Sequence, residues 1–181
     1  MHTLVGRKYE KVILESALTS TRAELIAVYG RRRIGKTFLI REVYRDYIQF
    51  EFSGIHRVTL KEQLKSFHLL LNSKKNRFHV PSDWIEAFDQ LAKHIDSTKT
   101  KAKQVIFIDE FPWLDSRKSN FLSAFDHFWN SYASKRNNLI VVICGSAASY
   151  MIKNIIKNKG GLHNRLTQTI RLIPFNLQET E

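Results

Sequence analysis

The sequence predicts an α/β domain in three layers, a parallel β-sheet with helices on both faces. Three observations predict it. Apolar segments of strand length alternate with segments of helical period along the chain. Parallel neighbours need long crossover connections, which the helical segments supply. Three of the strand segments, 25–28, 105–108 and 139–144, are continuously apolar, as strands covered on both faces are. With 181 residues and 43% hydrophobic content, the chain can bury one sizeable core and is short for two ordinary domains, so 1–181 is expected to be one domain.

The elements follow in order. Residues 7–19 read as a helix with Val12, Ile13, Ala17 and Leu18 on one face, and ELIAVYG (24–30) as the first strand. A helix over 36–46 then turns Leu39, Ile40, Val43 and Tyr47 to the sheet. In YIQFEF (47–52) the apolar Ile48, Phe50 and Phe52 alternate with Gln49 and Glu51, which suits an edge strand. Thr59 and Glu62 have the spacing of a capping box, and the helix they open (59–71) carries Leu60, Leu64, Phe67 and Leu71. After Pro81, residues 82–95 repeat the pattern with Trp84, Ile85, Phe88, Leu91 and Ile95. QVIFID (104–109) is the third strand. Phe121, Phe125, Phe128, Trp129 and Tyr132 mark a helix over 119–132 whose aromatic stripe belongs to the core. LIVVICGS (139–146) is the fourth strand, and QTIRLIPF (168–175), alternating at Ile170 and Leu172, is the second edge. The charged stretches 72–77 and 97–103 are linkers and not domain boundaries.

Composition narrows the chemistry. Lys and Arg total 29 against 17 Asp and Glu, a net charge of +12, so nucleotide, nucleic acid and acidic protein all qualify as partners. Cys144 alone rules out an intrachain disulfide and reads as a small buried hydrophobe in a reducing compartment. The N-terminus has no apolar signal core and no run is long enough to cross a bilayer, so a cytoplasmic protein with no membrane partner is expected. The seven histidines show no zinc spacing, and the residues around Ser146 do not form GxSxG.

GRRRIGKT (30–37) matches GxxxxGK[ST], directly after a buried strand and at the start of a helix. The backbone of Gly30, Arg31, Arg32, Arg33, Ile34, Gly35, Lys36, Thr37 and Phe38 is expected to wrap phosphates, helped by the positive end of the helix. Lys36 neutralises the outer phosphates, and the Thr37 hydroxyl ligates Mg²⁺. The three arginine side chains are given no catalytic role. At the C-terminal end of the third strand, Asp109 is expected to hold Mg²⁺, and Glu110 to orient or deprotonate the attacking water. Ser146 either contacts the γ-phosphate or attacking water, or caps the following helix, and both readings stand.

Together YGRRRIGKT, VIFIDEFPWLD, CGSAASYM and GGLHNRLTQTIRLIPFNL resemble the archaeal-type ATPases of the STAND and AAA-plus P-loop superfamily. The resemblance covers nearly the whole chain. It implies sheet order 5-1-4-3-2, numbering strands along the chain, the topology of the ASCE class of P-loop NTPases, and it implies ATP with Mg²⁺ as ligands. It also sets Val5, Gly6 and Arg7 of VGRKYE beside the adenine, although a ligand-free helix start fits the same residues. Arg165 in HNRLT falls where related ATPases place an arginine finger, which would imply a homo-oligomer; a surface arginine is the other reading. Related proteins continue past PFNL into a helical lid, which is expected to be absent from these 181 residues. Three functions follow: an ATPase core acting as a nucleotide-driven switch, an ATP-binding scaffold without turnover, or a nucleic-acid binder using the basic segments 72–77, 99–103 and 153–165.

Overall fold

The computed structural model describes residues 6–72, 77–157 and 162–174. Helix α1 (Lys8–Thr19) leads into β1 (Glu24–Gly30), α2 (Lys36–Tyr44) and β2 (Ile48–Ser53). Helices α3 (Leu60–Leu71) and α4 (Trp84–Ser97) precede β3 (Gln104–Asp109), and α5 (Phe121–Ser131) separates it from β4 (Leu139–Gly145). The last strand is β5 (Gln168–Leu172). All pairings are parallel and the order is β2-β3-β4-β1-β5, which is the expected 5-1-4-3-2 read from the other edge.

Alternation along the central strands builds the three layers. Leu25 and Ala27 of β1, with Ile106 and Ile108 of β3, pack beneath α3, α4 and α5. Ile26 and Val28, with Val105 and Phe107, pack beneath α1 and α2. Successive side chains of a strand point to opposite faces, so a strand covered twice must be apolar throughout. β3 and β4 are buried at every position, whereas Thr169 and Arg171 of edge strand β5 are exposed.

The aromatic stripe of α5 is core, as expected. Phe121 meets Trp84 at 5.0 Å and Phe111 at 4.8 Å, both edge-on, the arrangement favoured by ring quadrupoles. Burying each such ring contributes about 2–3 kcal/mol. Thr59 and Glu62 form the expected capping box at α3.

Three helix faces differ from the sequence reading. In α1 the buried stripe is Leu14 and Ala17, with Ile13 and Leu18 beside it, while Val12 is 63% exposed. Val12 lies two residues from Leu14, about 200° around the helix, and so points away from the sheet. Ile85 of α4 is likewise 57% exposed, because α4 packs on one side only. In α2 the third fully buried apolar residue is Tyr44, whose hydroxyl donates to the Leu14 carbonyl at 2.7 Å and joins α2 to α1; Val43 and Tyr47 are half-buried.

Candidate functional site

The C-terminal ends of β1, β3 and β4 bring together the loop between β1 and α2, the acidic pair after β3, and Ser146 after β4. The loop is held by backbone geometry. Gly30 ends β1 beside Leu172 of β5. A Cβ added to Gly30 would lie 2.3 Å from the Leu172 carbonyl oxygen, so only glycine fits there. Gly35 caps α2 in the left-handed region at φ 86, and Arg33 shares that region at φ 64. The chain therefore curls and presents the start of α2 to the crevice. Lys36, 6% exposed, folds back over the loop and donates from Nζ to the carbonyl oxygens of Gly30 (3.0 Å) and Arg31 (2.9 Å).

Asp109, buried at the end of β3, has both carboxylate oxygens engaged. Oδ2 accepts the Thr37 hydroxyl at 2.6 Å, and Oδ1 accepts the backbone N–H of Glu110 at 2.8 Å. The Thr37 and Asp109 oxygens are hard donors placed side by side, the chemistry that Mg²⁺ selects. Among the described residues no cluster of three His, Cys, Asp or Glu could hold a metal. An ion here would take its other ligands from phosphate and water.

Glu110 adopts the left-handed region at φ 44, which swings its side chain away from Asp109 and toward β4. Its Oε2 accepts the Ser146 hydroxyl at 2.7 Å and, more weakly, the Ser146 N–H at 3.4 Å. The helical turn Ala148–Tyr150 is preceded by Ala147 and has no side-chain cap, so Ser146 is not a helix cap. It is a donor to Glu110. Burial, with the Asp109 carboxylate second, pushes the neighbouring Cys144 thiol well up, so Cys144 stays a neutral core residue, as expected.

The flanking residues are placed unequally. Val5 lies outside the described residues. Gly6 has φ 73, and Arg7, 2% exposed, donates to Glu10 and to the Ile34 carbonyl at 3.4 Å, which anchors the N-terminal segment to the loop. Arg31, Arg32 and Arg33 are exposed. Phe38 is turned to a surface hollow lined also by Arg41, Ile48 and Glu51. Arg165 is ion-paired to Asp126 of α5 at 2.6 Å.

Three residues of this region escaped the sequence reading. Trp113, in the 3₁₀ turn after Glu110, lies beneath the Arg32 guanidinium, 5.3 Å from its ring centre, and against His56 at 5.0 Å. Gln63 of α3, almost fully buried, donates to the carbonyls of Ile55 (2.8 Å) and Trp113 (3.1 Å) and accepts from the Ile55 N–H. Tyr150 donates to Asp115 at 2.7 Å. A tryptophan in the turn directly after the acidic pair was the one local signal; the other two depend on contacts between distant segments.

A family model described as an ATPase domain predominantly from Archaea matches residues 4–180. An uncharacterized protein of Methanocaldococcus jannaschii is 27% identical over 191 residues, covering 96% of this chain and 36% of the relative. An uncharacterized ATP-binding protein of the same organism is 50% identical over 38 residues, 21% of this chain and 64% of its own. Among solved structures, a Walker-type ATPase of Pyrococcus abyssi superposes with TM-score 0.64 at 17% identity, covering 97% of this chain and 55% of that one. Cdc6p from Pyrobaculum aerophilum gives 0.64 at 14% identity, over 99% and 48%. Drosophila ORC bound to DNA gives 0.64 at 18%, over 96% and 44%. At these identities the structures share the fold. The chain spans about a third of the first relative and about half of each superposed chain.

Proposed function

The chain belongs to this family of ATPase domains predominantly from Archaea, and from that premise we propose that it binds and hydrolyses ATP with Mg²⁺ at the crevice between β1 and β3. The observation that carries the proposal is the Thr37 hydroxyl on Asp109 at 2.6 Å, beside Lys36 capping its own loop. In this reading Lys36 exchanges the carbonyls of Gly30 and Arg31 for outer phosphate oxygens, and the amides at the start of α2 take the remaining phosphate contacts. Thr37 and Asp109 hold the ion, which when bound offsets the charge that develops on the transferred phosphoryl group.

In this reading Glu110 orients or deprotonates water. Ser146 holds one of its oxygens and so restricts the carboxylate to one direction. Hydrolysis resets a conformational switch. The contact between Arg32 and Trp113 supports this, because it joins the phosphate loop to the turn after β3 and gives a change in one a route to the other.

Calorimetric titration with ATP and Mg²⁺, paired with phosphate release, tests the proposal. Glu110→Gln should bind ATP like the parent protein and release phosphate about 10²–10⁴ times more slowly. An absence of ATP binding by the parent protein rejects the site. Equal release rates reject Glu110 as the water-activating group, and binding without turnover leaves a nucleotide-binding scaffold.

A further inference from the structure

The connections after β2 and β3 form a face of which the nucleotide reading uses only the contact of Arg32 with Trp113. His56 and Trp113 lie ring against ring at 5.0 Å, with His56 exposed and Trp113 half-buried. The same connections and the phosphate-binding candidate loop carry four exposed cations: Arg32 over Trp113, Arg57 next to His56 in sequence, and Arg117 and Lys118 a few residues after Trp113. The two acids of these connections, Glu110 and Asp115, are half-buried and accept the Ser146 and Tyr150 hydroxyls. Positive charge therefore prevails on the outer surface, with aromatic rings set among the cations.

The face is also preorganised. Gln63 fixes the backbone of both connections from beneath, at Ile55 and at Trp113, so a ligand need not order them. Aromatic rings among basic side chains on a rigid platform match one chemistry best. An unpaired strand offers both a base to stack and a phosphate for each cation, whereas a duplex hides its base faces. Two of the basic segments marked in the sequence, 72–77 and 153–165, are described only in part. Residues 73–76 are outside the described residues, and 99–103 lie at the opposite end of the sheet, just before β3 begins.

We propose that the His56–Trp113 face binds single-stranded nucleic acid, with bases stacking on the rings and phosphates meeting Arg57, Arg117 and Lys118. The test is fluorescence anisotropy of a labelled oligo-deoxythymidine of about 16 nucleotides, titrated with the 181-residue chain over a range of salt. Arg57 and Lys118 are left-handed, at φ 58 and φ 66, a conformation that asparagine tolerates well. The double variant Arg57→Asn, Lys118→Asn should therefore keep its fold, and the slope of log affinity against log salt should fall by about 1.4, two phosphate contacts' worth.

Trp113→Ala should weaken binding about tenfold or more, and Trp113→Phe should restore most of it. A matched control, Lys99→Asn with Lys101→Asn at the far end of the sheet, should change little; Lys99 is left-handed too, at φ 47. The proposal is overturned if the parent protein does not bind the strand, if the Arg57 and Lys118 variant binds with an unchanged salt slope, or if the Lys99 and Lys101 control weakens binding as much. Lys36→Ala should lose ATP and keep the strand, so failure here is separable from failure of the nucleotide site.

Discussion

Two glycines bracket the phosphate loop for different physical reasons, and alanine at each separates them. At Gly30 the added Cβ would approach the Leu172 carbonyl oxygen to 2.3 Å and the Ile34 side chain to 2.7 Å. The first contact falls about 0.7 Å short of the 3.0 Å that real Cβ atoms keep, and its partner is backbone in a paired strand, so β1 and β5 must separate. Such overpacking costs about 1–3 kcal/mol, and the backbone at φ 154 adds roughly 1 kcal/mol more. At Gly35 nothing lies within 4 Å, and the cost is the left-handed φ of 86 alone, about 1 kcal/mol. For a chain of this size each kcal/mol moves Tm by about 2–4 °C. Gly30→Ala should therefore melt at least about 4 °C lower than the parent protein, and Gly35→Ala only about 2–4 °C lower. Gly30→Ala should also weaken ATP binding, because the loop starts from a displaced strand. Thermal melts of the two variants and the parent decide it. A Gly30→Ala protein that melts with the parent, or above Gly35→Ala, refutes the account.

Other outcomes follow from the same geometry. Ser146→Ala removes the donor at 2.7 Å from Glu110, and a hydrogen bond to a charged group is worth about 1.5–3 kcal/mol. Phosphate release should therefore slow by about tenfold or more with ATP affinity nearly unchanged, as steady-state kinetics can show; an equal loss in affinity would place Ser146 on the nucleotide instead. Alkaline stability is set by tyrosines. Burial pushes Tyr132 up to about 12 and raises Tyr44 further, so above pH 10 the unfolded chain gives up protons that the folded chain keeps. Stability is then full below pH 10 and falls as pH rises toward 12. Denaturant melts should show this decline, and Tyr44→Phe should make it shallower while costing about 1 kcal/mol at neutral pH through the lost bond to Leu14.

The sheet was legible in the sequence because burial on two faces leaves no choice of residue type. Residues 105–108 and 139–144 are apolar throughout, and Ile48, Phe50 and Phe52 alternate where only one face is covered. That the loop between β1 and α2 and the acidic pair after β3 reach one sheet edge was legible too, since each follows a strand end in sequence. Helix faces were less so. Val12 and Ile85 are apolar yet exposed, and a helix packing against one layer buries a narrower stripe than its apolar residues suggest. Tyr44 was overlooked because its hydroxyl disguises a fully buried ring, and that hydroxyl finds its acceptor thirty residues away. Ser146 was read as facing phosphate or a helix end. Its hydroxyl also donates to Glu110, which lies on another strand end, and no spacing within the chain announces that bond.

The hydrogen bonds of the Gln63 side chain go to main-chain atoms of Ile55 and Trp113. Side chains at 55 and 113 can therefore change across related proteins without disturbing the clasp, whereas 63 cannot. Homologues should show a near-invariant amide beneath two freely diverging positions, a scaffold on which lineages retune what they grip without rebuilding how it is held.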